Sequence, residues 1–300
     1  MTQTIANDVL EYGQRPPGYR LPDATRLGAV RLQVSSLDRS LEWYGRVLGM
    51  RTLSRDAGRA LLGARGGDAP LIELRERAGA NAVPRRGRLG LYHFAILLPD
   101  RASLGRFVAH LASIGERAGM SDHFVSEAVY LTDPDGLGIE VYADRPRSAW
   151  RAVGGQLAMA TEPLDVNDVV AAAGDEMWSG MPNGTVIGHV HLHVGDLAEG
   201  ERFYHRALGL DKVVWSYPGA LFLSAGGYHH HLGTNTWARG AEPASDADAR
   251  LVEWEVVLPA AADVVAAAAS LRTEGYRVLA DGADVIADDP WGTRVRLRAG

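Results

Sequence analysis

The sequence predicts an α+β protein in which four βαβββ modules form two barrel-like domains. The first observation is a repeat at an offset of 160 residues, Gly28-Ala-Val-Arg-Leu-Gln-Val-Ser-Ser-Leu37 against Gly188-His-Val-His-Leu-His-Val-Gly-Asp-Leu197. Its register continues through Tyr44/Tyr204, Arg46/Arg206, Leu48/Leu208 and Gly49/Gly209. Chance does not readily hold a register over 22 positions, and a repeat of this kind decides the fold. The second observation is a looser pair. Leu91-Tyr-His-Phe-Ala-Ile-Leu-Leu-Pro99 is similar to Leu251-Val-Glu-Trp-Glu-Val-Val-Leu-Pro259, and Asp133-Pro-Asp-Gly136 to Asp289-Pro-Trp-Gly292. The third is that each copy reads as an alternating strand, an amphipathic helix and further β-like segments.

Taken in order, residues 1–25 form an N-terminal arm. The N-terminal half, 26–145, holds modules 1 and 2, near 26–77 and 87–145. In the helix of module 1, Leu37, Leu41, Tyr44 and Leu48 fall on one face, and Gly49 stands where a C-cap belongs. Pro70-Leu-Ile-Glu-Leu74 is one of its later strands. Module 2 carries a helix-like stretch from Ala102 to Ala118. A connector, 146–183, contains a short helix over Val166–Gly174 with Asp165 as its N-cap. The C-terminal half, 184–300, holds modules 3 and 4, near 184–236 and 249–298, with Ala220-Leu-Phe-Leu-Ser224 as a strand and Ala260–Gly275 as a helix-like stretch.

Composition narrows the function classes. A formal charge of −6 and a pI of about 5.9 leave no basic stripe, so nucleic acid is not an expected partner. With no cysteine, histidine and carboxylate remain as the metal-ligand stock. The N-terminus shows no basic region followed by an apolar core, and no apolar run reaches the ~18 residues of a membrane span. A soluble cytoplasmic protein, without a membrane partner, is the expectation.

The residues with chemistry cluster at strand ends. His93 begins one apolar run and His189 another, where His191 and His193 share its face. Tyr130 and Glu140 stand ten residues apart in Tyr130-Leu-Thr-Asp-Pro-Asp-Gly-Leu-Gly-Ile-Glu140. His229, His230 and His231 are consecutive. A lone histidine in an apolar run is more often a satisfied core residue, so the combination carries the weight. Two histidines and one carboxylate around a metal with open positions suit non-heme Fe(II) and oxygen chemistry.

On these segments the chain resembles the vicinal oxygen chelate superfamily of glyoxalases, bleomycin-resistance proteins and extradiol dioxygenases. Gly90 to Pro99, Tyr130 to Gly136, Gly138 to Arg147, Gly188 to Val194 and Gly226 to Leu232 look most like CatE-type catechol 2,3-dioxygenases. The resemblance covers nearly everything after residue 26. It implies His93, Glu140 and His189 as ligands of Fe(II), with Mn(II) as the other suitable metal. His191 is the alternative to His189 if the register shifts. The resemblance further implies His230 as acid–base residue, Tyr130 as a hydrogen-bond partner of the substrate oxygen that steadies the intermediates, and His123 as a substrate contact. His229, His231 and His191 are further candidates for lining the substrate site. Trp178 and Trp237 could wall an aromatic cavity. The partners implied are a catechol-type substrate and O2, in aromatic hydrocarbon catabolism, and a homo-oligomer is expected.

In the repeat, Ala29 stands where His189 does, Glu253 where His93 does, and Arg296 where Glu140 does. Modules 2 and 3 alone therefore supply ligands, which favours pairing 2 with 3 and 1 with 4. Pairing 1 with 2 and 3 with 4 would put the site at a domain contact or a partner subunit. The competing functions are a glyoxalase-like isomerase, disfavoured by the missing fourth ligand, and a metal-free aromatic-binding protein, disfavoured by the intact triad.

Overall fold

The computed structural model of the chain describes residues 11–300. Module 1 contains β1 (Arg26–Val34), β2 (Arg51–Asp56), β3 (Arg59–Gly63) and β4 (Ile72–Glu76). Module 2 contains β5 (Gly90–Leu97), β6 (Gly119–Asp122), β7 (Ser126–Thr132) and β8 (Gly138–Asp144). The connector adds three two-residue strands, β9 (Ala152–Val153), β10 (Gln156–Leu157) and β11 (Glu162–Pro163). Module 3 contains β12 (Val186–His193), β13 (Asp211–Val214), β14 (Ala220–Ser224) and β15 (Leu232–Asn235). Module 4 contains β16 (Arg250–Leu258), β17 (Val278–Asp281), β18 (Asp284–Asp288) and β19 (Arg294–Ala299).

Apart from β9 and β10, which pair with each other, the strands form two large sheets, each drawn from both halves of the sequence. One has the order β17-β18-β19-β16-β1-β4-β3-β2, and the other β11-β6-β7-β8-β5-β12-β15-β14-β13. Antiparallel β1 and β16 join modules 1 and 4, and antiparallel β5 and β12 join modules 2 and 3. This is the pairing that the ligand distribution favoured.

Side-chain alternation explains how each sheet is used. In β12, Val190 and Leu192 enter the main core, while His189, His191 and His193 point to the opposite face. In β5, Phe94 and Ile96 enter that core, while His93 and Ala95 do not. The same core receives Val30, Leu32 and Val34 from β1, and Trp254 and Val256 from β16. One apolar core therefore lies behind both sheets, and their other faces are left for polar groups.

The helices cover the core and start where polar caps stand. Helix α1 (Leu37–Arg46) is capped by Ser36, α2 (Arg101–Ser113) by Asp100 and α3 (Val166–Ala171) by Asp165, each accepting from a backbone N–H of the first turn. Helix α4 (Leu197–Gly200) begins at Asp196 and continues as a π-helical turn, Glu201–Ala207, where a regular amphipathic helix was expected. There Leu208 N–H reaches back to Phe203 O. Helix α5 spans Ala261–Thr273. Helices α2 and α3 stop before their expected ends, and Gly115 and Gly174 beyond them adopt positive φ.

The repeated Asp-Pro-x-Gly turns tie the sheets together. Asp133 accepts from the N–H groups of Asp135 and Leu137 and from Tyr44 of module 1. Asp289 does the same with Trp291, Thr293 and Tyr204 of module 3. Burial pushes both carboxyls up to about 6, against the pull of these donors. Of the arm, residues from 11 onward run along module 3, where Gln14 bridges Lys212 and Arg20 pairs with Asp211 at 2.7 Å. Its first ten residues lie outside the described ones.

Candidate metal centre

Strand register assembles the site. On β12, β5, β8 and β7 the pairs His189↔Ala95, Ala95↔Glu140 and Glu140↔Tyr130 make one row across the sheet. The ten-residue interval between Tyr130 and Glu140 is that of a hairpin in which the two are direct partners. His93 lies in the next row, opposite His191. At the centre, Ala95 has the smallest side chain of the row and leaves room between His189 and Glu140.

His93 Nε2 stands 3.0 Å from Glu140 Oε2, and His189 Nε2 stands 3.1 Å from the same oxygen. All three residues are buried, and one donor atom of each lies within 4.8 Å of the others. Among the described residues this is the one cluster of its kind. His93 Nε2 is out of hydrogen-bond alignment with Glu140, and it is a buried nitrogen without a partner. Burial opposes charge on Glu140, but His189 and His93 outweigh it and hold the carboxyl well below its ordinary value. Burial keeps both imidazoles below theirs. Two neutral nitrogens and one carboxylate, with an unsatisfied buried atom among them, fit a divalent metal ion.

The cluster opens on a cavity of 210 Å³ that is also lined by His123, Tyr130, His191 and His230. Its aromatic wall is Tyr92, Tyr217, Phe222 and Trp237, and Met159 to Thr161 of the connector close another side. His229 and His231 do not line it, which departs from their candidacy as substrate contacts. The reason is the local fold: His231 turns its Nδ1 to the Ala225 N–H and Ser224, and His229 lies behind His230. Trp178 packs against Phe107, outside this cavity.

Hydrogen bonds set the tautomers, because some partners can only donate or only accept. Asp144 Oδ1 accepts from His229 Nε2 at 2.9 Å, and His229 Nδ1 meets His230 Nδ1 at 2.7 Å. With its Nε2–H donating to Asp144, His229 accepts at Nδ1. His230 then carries its hydrogen on Nδ1, leaving the Nε2 lone pair for the cavity. The Ala160 carbonyl likewise accepts from His123 Nδ1 at 2.6 Å, so His123 Nε2 accepts from the Tyr130 hydroxyl at 2.6 Å. The Tyr130 oxygen is thereby left as an acceptor. Next to His123, Phe124 is the one non-glycine with positive φ among the described residues, 69°.

Several of these groups escaped the sequence reading. Asp144 sits inside the quoted Gly138–Arg147 segment, but only the fold brings it to His229. Tyr92, Tyr217 and Phe222 read as ordinary strand or loop aromatics. Arg145 pairs with Asp122 and Glu127, and Arg147 lies over Trp150.

The equivalent face of the other sheet is filled. Glu255 occupies the position of Ala95, pairs in register with Arg296, and reaches the Ala29 N–H at 3.2 Å. Arg296 binds Glu253 at 2.6 Å, and Arg31 contacts Glu73, Glu253 and Glu255. Arginine cations stand there in a largely buried network of opposite charges.

Fold and site together define a paired-module α+β protein with, among the described residues, one candidate metal centre opening on an aromatic-walled cavity. The family model described as the glyoxalase/bleomycin resistance protein/dioxygenase superfamily matches residues 26–141 and 186–297. The chain belongs to that superfamily. It is 46% identical over 258 residues to the catechol-2,3-dioxygenase of Bacillus subtilis (strain 168), covering 85% of this chain and 90% of that one. Among solved structures it is similar to one from Bacillus subtilis subsp. subtilis str. 168, with a TM-score of 0.63 and 14% identity over 94% of this chain and 86% of that one. Glyoxalase I from Zea mays gives a TM-score of 0.55 and 20% identity, over 91% and 92%. At such identities the structures speak for the fold alone. No helix among the described residues is long and apolar enough to cross a membrane.

Proposed function

We propose that this chain is an Fe(II)-dependent extradiol dioxygenase that cleaves catechol or a substituted catechol with O2. The observation that carries the reading is the convergence of His93, Glu140 and His189 on a cavity faced by His230 and Tyr130. The 46% identical relative called catechol-2,3-dioxygenase supports it. His93, Glu140 and His189 would hold the metal. Fe(II) held there would supply Lewis acidity toward the catechol oxygens and redox chemistry toward dioxygen.

The remaining work falls to the chain's own side chains. Tyr92, Tyr217, Phe222 and Trp237 give an aromatic ring an apolar enclosure and limit water. The Nε2 lone pair of His230 takes a proton from a catechol hydroxyl. The cation so formed keeps its Nδ1 hydrogen on His229, whose own ring is anchored by Asp144. Later His230 returns the proton as general acid. The Tyr130 oxygen accepts from a substrate hydroxyl and orients it. Burial raises the Tyr130 phenol well above its usual value, with Glu140 adding to the shift, so it stays protonated.

The reaction expected is catechol plus O2 giving 2-hydroxymuconic semialdehyde, with both oxygen atoms retained in the product. The test is to load the protein with Fe(II) without oxygen, then add catechol and air. One O2 consumed per catechol with a yellow product is the expected result. No oxygen uptake across a panel of catechols, or a colourless intradiol product, would contradict the proposal.

A further inference from the structure

His191 is the cavity histidine that the mechanism leaves without a role. Its ring is held from several directions. Asn235 Nδ2 lies 3.0 Å from His191 Nε2, and the rings of Tyr92, Phe222 and Trp237 surround it. Its face covers Gly233, where a Cβ would come 2.8 Å from His191 Cγ. Any side chain at 233 would displace the ring.

The orientation of Asn235 is not free. Its Oδ1 receives the backbone N–H of Trp237 at 3.0 Å, and a backbone N–H can only donate. Turning the amide over would set two donors against each other. Hence Nδ2 faces His191 and donates, so His191 Nε2 is an acceptor and the ring hydrogen is on Nδ1. His193 Nδ1, 2.7 Å from the same Oδ1, is likewise a donor. Among the described residues no group accepts from His191 Nδ1. That atom is not among the buried unpartnered atoms either, and His191 lines the cavity.

We infer that His191 is a substrate-binding residue whose Nδ1–H donates a hydrogen bond to an oxygen of the bound catechol, and that Asn235 is the positioning residue that fixes it as a donor. The cavity then presents opposite functions on β12 and on the segment just before β15. His230 offers a lone pair to a hydroxyl, and His191 offers a hydrogen to an oxygen acceptor. A catechol that has given up one proton matches this pair, with one oxygen anionic and the other still bearing hydrogen. The inference rests on the catechol reading only for the identity of the acceptor.

The test uses the full chain loaded with diamagnetic Zn(II), histidine-selective nitrogen labelling, and nitrogen–proton correlation NMR. The signal of His191 is identified by its loss in His191→Phe, or in His191→Gln should the first variant not fold. A hydrogen on Nδ1 of His191 is expected, and a hydrogen on Nε2 in the unaltered chain overturns the inference. In Asn235→Asp the carboxylate can only accept, so His191 Nε2 must gain a hydrogen, and its failure to do so also overturns it. Catechol titrated into the same samples should bind about tenfold more weakly to His191→Phe, at unchanged metal content. Equal affinity in the variant overturns the contact. Absence of catechol binding by the unaltered chain would instead count against the ring-cleavage reading and leave the tautomer result standing.

Discussion

At the scale of single residues, hydrogen bonds fix which ring nitrogens of the candidate site face the cavity. His229 has one nitrogen tied to Asp144 and the other to His230, and it does not line the cavity. This arrangement predicts that His230→Ala keeps a full complement of metal but loses about 10²–10⁴-fold in kcat, the range for a lost general acid–base. Metal analysis beside steady-state kinetics checks it, and a loss under about tenfold would contradict the base role. The sequence made His93, Glu140, His189 and Tyr130 legible because their spacings reflect strand register. It hid Asp144 and Asn235, since an acid or amide at a strand end looks the same whether it faces water or a ring nitrogen. It also left His229 and His231 open, because a three-histidine run does not say which ring faces inward until strand and turn geometry are known.

At the scale of elements, alternation was the legible feature. Val190 and Leu192 had to be buried together, which forced His189, His191 and His193 to the other face of β12. Pairing was legible only indirectly. The sequence halves suggested neighbours 1–2 and 3–4, and the uneven distribution of metal-competent residues pointed to 2–3 and 1–4, as the two sheets show. The exchange of Ala95 for Glu255 explains the difference between the faces: a methyl leaves space for an ion, and a carboxylate fills it. Helix content was legible from periodicity, but the π-helical turn at Glu201–Ala207 was not, since its side-chain pattern is that of an ordinary helix.

At the scale of the whole molecule, buried imidazoles set the response to acid. Burial lowers His93, His189, His191, His193, His205, His230 and His231 below their ordinary 6.5, with His231 brought to about 3. As pH falls through 6.5 the unfolded chain binds protons at these seven rings, and the folded chain resists. Acid therefore favours unfolding. Asp133 and Asp289, pushed up to about 6, act in the opposite sense, since folding raises their proton affinity between about 4 and 6. Seven groups against two decide the sign. The denaturation midpoint of the metal-free chain should fall steadily between about pH 6.5 and pH 5. A midpoint that is flat or rises over that interval would show that the rings are protonated in the folded state.

The organisation of the molecule comes down to one sheet that carries a candidate metal centre and one that has ion pairs in its place. Anaerobic titration with Fe(II), followed by metal analysis of the unaltered chain and of Glu140→Ala, tests this most directly. One equivalent per chain, lost in Glu140→Ala, is the expected result. Two equivalents per chain, or one that survives in Glu140→Ala, would contradict it.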